Sequence, residues 1–86
     1  MSNLRLDPAE YALLVKQVLS RDEWKCRSCG MRSNLHCHHV IYRSHQGEDT
    51  AENLLTLCNQ CHEAVHRGDV KIIGHIITRL NGWKPT

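Results

Sequence analysis

Two thiol pairs, Cys26-x-x-Cys29 and Cys58-x-x-Cys61, enclose His38-His39 and Asn53 and are followed directly by His62 and His66. Four thiolates match the softness and tetrahedral preference of Zn²⁺, and a closed four-sulfur set leaves no position open for reaction. The spacing therefore predicts a structural zinc site on Cys26, Cys29, Cys58 and Cys61 that ties the ends of this stretch together. The histidines left over can hold a second, open divalent ion, and an open ion carries hydrolytic chemistry. His62 and His66 lie four apart on a predicted helix, so they share one face and can share one ion. His38 and His39 are neighbours on a predicted strand, where successive side chains point to opposite faces. One of that pair then binds metal, and the other addresses something beside it.

The chain has seven histidines and five cysteines, and each needs its own case. His36 shares strand parity with His38 and can support it from behind. His45 lies in a polar loop and reads as exposed, and His75 has no motif context. Cys37, between two histidines, reads as a small buried hydrophobe. Asn53 taken alone is a turn or cap residue. A redox or metal-storage protein also uses Cys-x-x-Cys thiols, but it predicts reversible disulfides rather than one tightly held zinc. A catalytically silent zinc knuckle that binds nucleic acid or protein explains the four cysteines and leaves His38, His39, Asn53 and His62 as coincidence.

These residues need elements to hold them. Residues 7–21 read as a helix: Asp7 is an N-cap, Pro8 suits the first turn, and Glu10 completes a capping pattern. Tyr11, Leu14, Val15 and Val18 form an apolar stripe, which makes this helix a brace against the metal core. Residues 24–31 form a metal knuckle that turns at Gly30. Residues 34–41 and 53–57 read as short strands joined by a polar loop, and 59–67 as a helix stopped by Gly68. The tail beyond Val70 keeps a helical spacing of isoleucines, but its β-branched content, Gly74 and the Asn81-Gly82 pair favour a strand or hairpin edge.

With 86 residues and no phenylalanine, the core is thin and needs a staple such as zinc. Met1–Tyr11 lacks the apolar run of a signal peptide and no stretch approaches a membrane span, which predicts a cytoplasmic protein with reduced thiols and no membrane partner. Net charge is only +2, but six basic residues against Asp22 and Glu23 lie between Lys16 and Arg43, and five acids against Arg67 lie between Ser44 and Asp69. That division suits a polyanion approached through a cation, but on charge alone an ordinary solvated surface is the better reading.

Cys26-x-x-Cys29, His38-His39-Val40, Asn53-Leu54, Leu57-Cys58-x-x-Cys61-His62 and His66 together resemble the HNH endonucleases, the ββα-metal nucleases. The resemblance covers about residues 21–68 and includes a lead-in through Leu19-Ser20-Arg21-Asp22. It implies a small α+β fold, a treble-clef-like, zinc-stapled ββα-metal domain spanning residues 1–86 with an N-terminal brace helix. It also implies a metal-dependent DNA endonuclease that hydrolyses phosphodiester bonds to leave 5′-phosphate and 3′-hydroxyl ends. By that likeness His39 is the general base, His38 and His62 are catalytic-metal ligands, and Asn53 braces the loop between the strands. His66 matches a third ligand found in some branches, such as the nuclease colicins. Many relatives have Asp where His38 stands, so the catalytic ion is left open among Mg²⁺, Mn²⁺, Ni²⁺ and Zn²⁺. Arg43 and Arg67 are the nearest candidates for phosphate contacts. The expected partner is DNA, with a homodimer or a larger phage or mobile-element assembly as further options.

Overall fold

A computed structural model describes residues 4–85. The first helix, α1 (Pro8–Arg21), begins where the sequence places it. Asp7 accepts from the Glu10 backbone at 2.8 Å, and the Glu10 side chain accepts from the Asp7 backbone at 3.2 Å. Such caps contribute about 1 kcal/mol each. Strands β1 (Leu35–His39) and β2 (Leu54–Cys58) pair antiparallel, with Leu35 opposite Cys58 and His39 opposite Leu54. Helix α2 (Asn59–Arg67) follows without a loop and ends at Gly68, which takes the left-handed conformation. The tail forms a second antiparallel hairpin, β3 (Val70–Ile73) and β4 (Ile76–Arg79), turning at Gly74-His75. The result is a small α+β fold of two helices and two hairpins, built on a four-cysteine cluster.

The β1–β2 pair is packed between the helices. Every residue of β2 is buried. Leu55 and Leu57 face the cysteines and α2, while Leu54 packs with Leu14 and Val18 of α1. Burying side chains of this size stabilises by roughly 1.5–3 kcal/mol each. Tyr11 and Cys37 sit at the edge of the α1 cluster, so Cys37 behaves as the half-buried apolar residue expected of it, its thiol pushed up to about 11 by burial.

Both ends of β1 fall inside the expected 34–41. Asn34 has φ 55°, outside the extended region. After His39 the ladder is handed to Asn53: its carbonyl accepts from Val40, and its side-chain oxygen from Ile41. Asn53 itself closes a 3₁₀ turn rather than opening β2. Asp22 joins the first knuckle to the sheet. Burial alone would raise its pKa, but bonds from Arg21, the Thr56 backbone and Arg27 hold the carboxyl well below the usual carboxylate range. Among the described residues, no helix is long and apolar enough to cross a membrane.

Candidate active site and metal centre

The four cysteine sulfurs lie within 4.8 Å of one another, with Cys29 Sγ and Cys58 Sγ 3.6 Å apart. A tetrahedral ion with Zn–S bonds of about 2.3 Å separates its sulfurs by roughly 3.8 Å, so the cluster is compatible with a structural zinc site. Two knuckles bring the thiols together. The first turns at Gly30, φ 82°, with the Cys26 N–H donating to Met31 and the Gly30 N–H donating back to Cys26. The second is the junction of β2 and α2, where Cys58 ends the strand and Cys61 opens the helix.

His38 and His39 leave β1 in opposite directions. His38, only 3% exposed, faces α2, with its ring centroid 5.3 Å from His62 and 6.4 Å from His66. Burial first, then the charges of His62, His66 and His39, push its pKa down to about 4, which leaves the imidazole neutral at pH 7. Burial also lowers His62, aided by His66 and His36. The Nε2 atoms of His62 and His66 are 3.3 Å apart, as their i, i+4 placement on α2 allows. His36 approaches the cluster from its solvent side, with its Nε2 against Asn59 and its ring 5.6 Å from His62.

His39 turns toward α1 and the loop. Its Nε2 lies 2.9 Å from Oδ1 of Asp49, a carboxylate only 1% exposed. Asp49 also accepts from Arg43 Nε at 3.0 Å, Arg43 Nη2 at 2.9 Å and the Leu6 N–H at 3.1 Å. Burial opposes ionisation, but the bonds from His39, Arg43 and Leu6 prevail and lower its pKa to about 2. Asp49 is therefore an anion at neutral pH and accepts from His39 Nε2; in a neutral imidazole with its proton there, Nδ1 holds the lone pair.

The loop that carries Asp49 is held from within. The Asn53 amide accepts from Ile41 N–H at 2.8 Å and donates to the carbonyls of Ile41 and Glu48, each at 3.0 Å. Gly47 is required by space, because a Cβ there would stand 1.6 Å from the Ile41 carbonyl oxygen. A cleft of about 400 Å³ lies beside this loop, lined by Val40, Ile41, Glu48, Glu52, Asn53 and Gly74, and the histidine cluster is not part of it.

The structure thus sets His38, His62 and His66 on one face of β1, with ring centroids 4.8, 5.3 and 6.4 Å apart, and His39 and Asp49 on the other with Asn53 bracing the connection. Among the described residues, only the four cysteines form a group close enough to hold a metal ion. Arg43 is half-exposed, with two of its nitrogens engaged by Asp49. Arg67, on the exposed side of α2, lies 3.2 Å from Asp69 and 3.9 Å from Glu63. His45 is exposed against Tyr42, and His75 donates to the Glu52 carbonyl at 2.9 Å. Three residues at the site escape the sequence reading. Asp49 passes for a solvated loop acid and Tyr11 for plain core. Tyr42, whose ring meets His38 edge-on at 5.7 Å, carries no motif signal.

The HNH endonuclease family model matches residues 26–68, half of the chain. The chain is also 35% identical over 69 residues to anaredoxin of Nostoc sp., a match covering 79% of this chain and 91% of that protein. No solved structure matches it significantly. Over the span that holds both cysteine pairs, His38, His39, Asn53, His62 and His66, the chain belongs to the HNH endonuclease family.

Proposed function

We propose that the protein is a metal-dependent DNA endonuclease of the ββα-metal type, its treble-clef-like core stapled by zinc and its phosphodiester chemistry carried by His39 beside one divalent ion. The observation that carries this reading is the division of labour across β1. His38 faces two further imidazoles, and His39 faces a buried carboxylate. The 3.3 Å between the His62 and His66 nitrogens is close to the separation of two ligands held at about 2.1 Å around one tetrahedral ion. Burial keeps His38 unprotonated, as a ligand must be. His38, His62 and His66 are the residues assigned to that ion. When bound, it supplies charge stabilisation at the phosphate and the leaving 3′ oxygen.

His39 does the proton work. Asp49 fixes the proton on Nε2, so Nδ1 faces the reaction as the acceptor and takes a proton from the attacking water. As the imidazolium forms, the Asp49 carboxylate stabilises it. Asn53 keeps the loop closed so that Asp49 stays in reach of His39. Arg67 and the remaining edge of the Arg43 guanidinium are assigned to backbone phosphates, which position DNA without reading its sequence. The test is cleavage of supercoiled plasmid across Mg²⁺, Mn²⁺, Ni²⁺ and Zn²⁺, with a chelator control and the His39→Ala variant. Metal-dependent nicking that His39→Ala loses supports the reading. Its absence with every metal leaves the silent zinc-knuckle binding module.

One observation favours a second reading. The Nostoc relative is named anaredoxin, and a tetrahedral four-thiolate site takes iron as well as zinc. Metal analysis separates the two. The nuclease reading expects about one zinc and a colourless protein, and a redox role expects iron with visible thiolate-to-metal absorption.

A further inference from the structure

The family match starts at Cys26, yet the contacts that fix His39 come largely from before it. The Tyr11 ring of α1 lies parallel to the His39 imidazole, the planes 2° apart and the centroids 6.1 Å apart. The guanidinium carbon of Arg43 stands 5.0 Å from the centre of the same Tyr11 ring, and Arg43 in turn holds Asp49. Arg5 donates to the carbonyls of Gly47 and Arg43. Leu6 N–H donates to Asp49 Oδ2, and Asp49 N–H donates to the Leu4 carbonyl at 3.0 Å. Each end of the His39–Asp49 pair is therefore tied to residues 4–11.

We propose that residues 4–11 form the positioning element for His39, with Tyr11 setting the plane of the imidazole and the Leu4–Leu6 backbone clamp holding Asp49 where it selects the tautomer. The inference rests on His39 as the general base. The two contacts do different things. A parallel ring restrains tilt but leaves the imidazole free to flip by 180°, which exchanges its two edges. A carboxylate acceptor removes that degeneracy, since only the edge carrying the proton can face it. Both restraints are needed to present Nδ1 in one orientation, and both are supplied or held by the segment that otherwise looks like a simple brace.

A purely structural Tyr11 asks only for apolar bulk beside Leu14 and Val18, which leucine also supplies. Tyr11→Leu and Tyr11→Phe therefore separate the roles. In zinc-loaded full-length protein, at a temperature where all variants are folded, Tyr11→Phe is expected to keep kcat within about 2-fold, because the parallel ring remains. Tyr11→Leu is expected to lower kcat by about 10-fold or more, with KM and zinc content unchanged, as loss of a supporting group does. An independent readout is the ¹⁵N side-chain spectrum of His39. The parent and Tyr11→Phe should show a single tautomer protonated at Nε2, and Tyr11→Leu an averaged or broadened pair. Parent-like kcat or a parent-like His39 spectrum in Tyr11→Leu overturns the proposal. If the parent protein cleaves nothing with any metal, the nuclease reading fails by itself, and the His39 spectra still decide whether residues 4–11 position this ring.

Discussion

Replacing Asp49 with Asn keeps the shape of the side chain and removes its charge, and the structure sets the size of the effect. The carboxylate is 1% exposed and accepts from His39, from two nitrogens of Arg43 and from the Leu6 backbone. An amide has one oxygen for these donors and turns its NH₂ toward another of them. The folded carboxyl titrates at about 2 against a reference of 3.8. At about 1.4 kcal/mol per pKa unit, the ionised form contributes roughly 2 kcal/mol of stability. The sign follows from the depression. This stability is fully present above pH 4 and is lost as the pH falls from about 4 to about 2. Asp49→Asn should therefore be about 2–3 kcal/mol less stable than the parent in urea at pH 7. Acid also protonates the thiols and releases the zinc that holds the fold, so the comparison is made at pH 7. Plasmid cleavage should fall about 10–100-fold, the usual cost of losing an orienting partner. A variant as stable as the parent at pH 7 would refute the claim that Asp49 is an ionised, fully bonded anchor.

Other perturbations have equally definite outcomes. Cys58→Ser should release the zinc and unfold the protein, since such sites contribute on the order of 10 kcal/mol to folding; zinc content and circular dichroism check this. Gly47→Ala places a methyl group 1.6 Å from the Ile41 oxygen. It should cost several kcal/mol, about the size of other buried clashes, and lower the melting temperature while leaving zinc bound. Arg67→Ala should weaken binding to unrelated DNA sequences uniformly and reduce the salt slope by about 1. Arg43→Ala should do the same and also lower cleavage at saturating DNA, because it releases Asp49; a loss confined to one sequence would point to base readout.

Much of this was legible in the chain wherever the signal is local. The Asp7-Pro8-Glu10 pattern marks the start of α1 and Gly68 the end of α2. The Gly74 interruption and β-branched tail resolve as a hairpin, because the isoleucines pair across β3 and β4 rather than along a helix. Strand alternation alone puts His38 and His39 on opposite faces. The features that escaped depend on distant partners. Asp49 sits among Gly47, Glu48 and Thr50, a composition that reads as solvated loop, and its burial comes from Leu6 and Arg43. Tyr11 fits an apolar stripe, and nothing in its spacing says that it meets an imidazole 28 positions on. Asp22 counts as one surface acid until Arg21, Arg27 and Thr56 are seen to converge on it. Arg43 reads as a free cation for phosphate, whereas two of its nitrogens already bind a carboxylate.

The central claim is that two adjacent histidines divide the chemistry, His38 for metal and His39 for the proton. Its most direct test is calorimetric titration of zinc-loaded His38→Ala and His39→Ala with the divalent ion that best supports plasmid cleavage in the parent. His39→Ala should bind that ion nearly as the parent does and lose about 10²- to 10⁴-fold in cleavage rate, the usual contribution of a general base. His38→Ala should bind it more weakly and recover part of its activity as metal is raised. Metal binding lost in His39→Ala and kept in His38→Ala would reverse the assignment, and full activity in both would contradict the nuclease account.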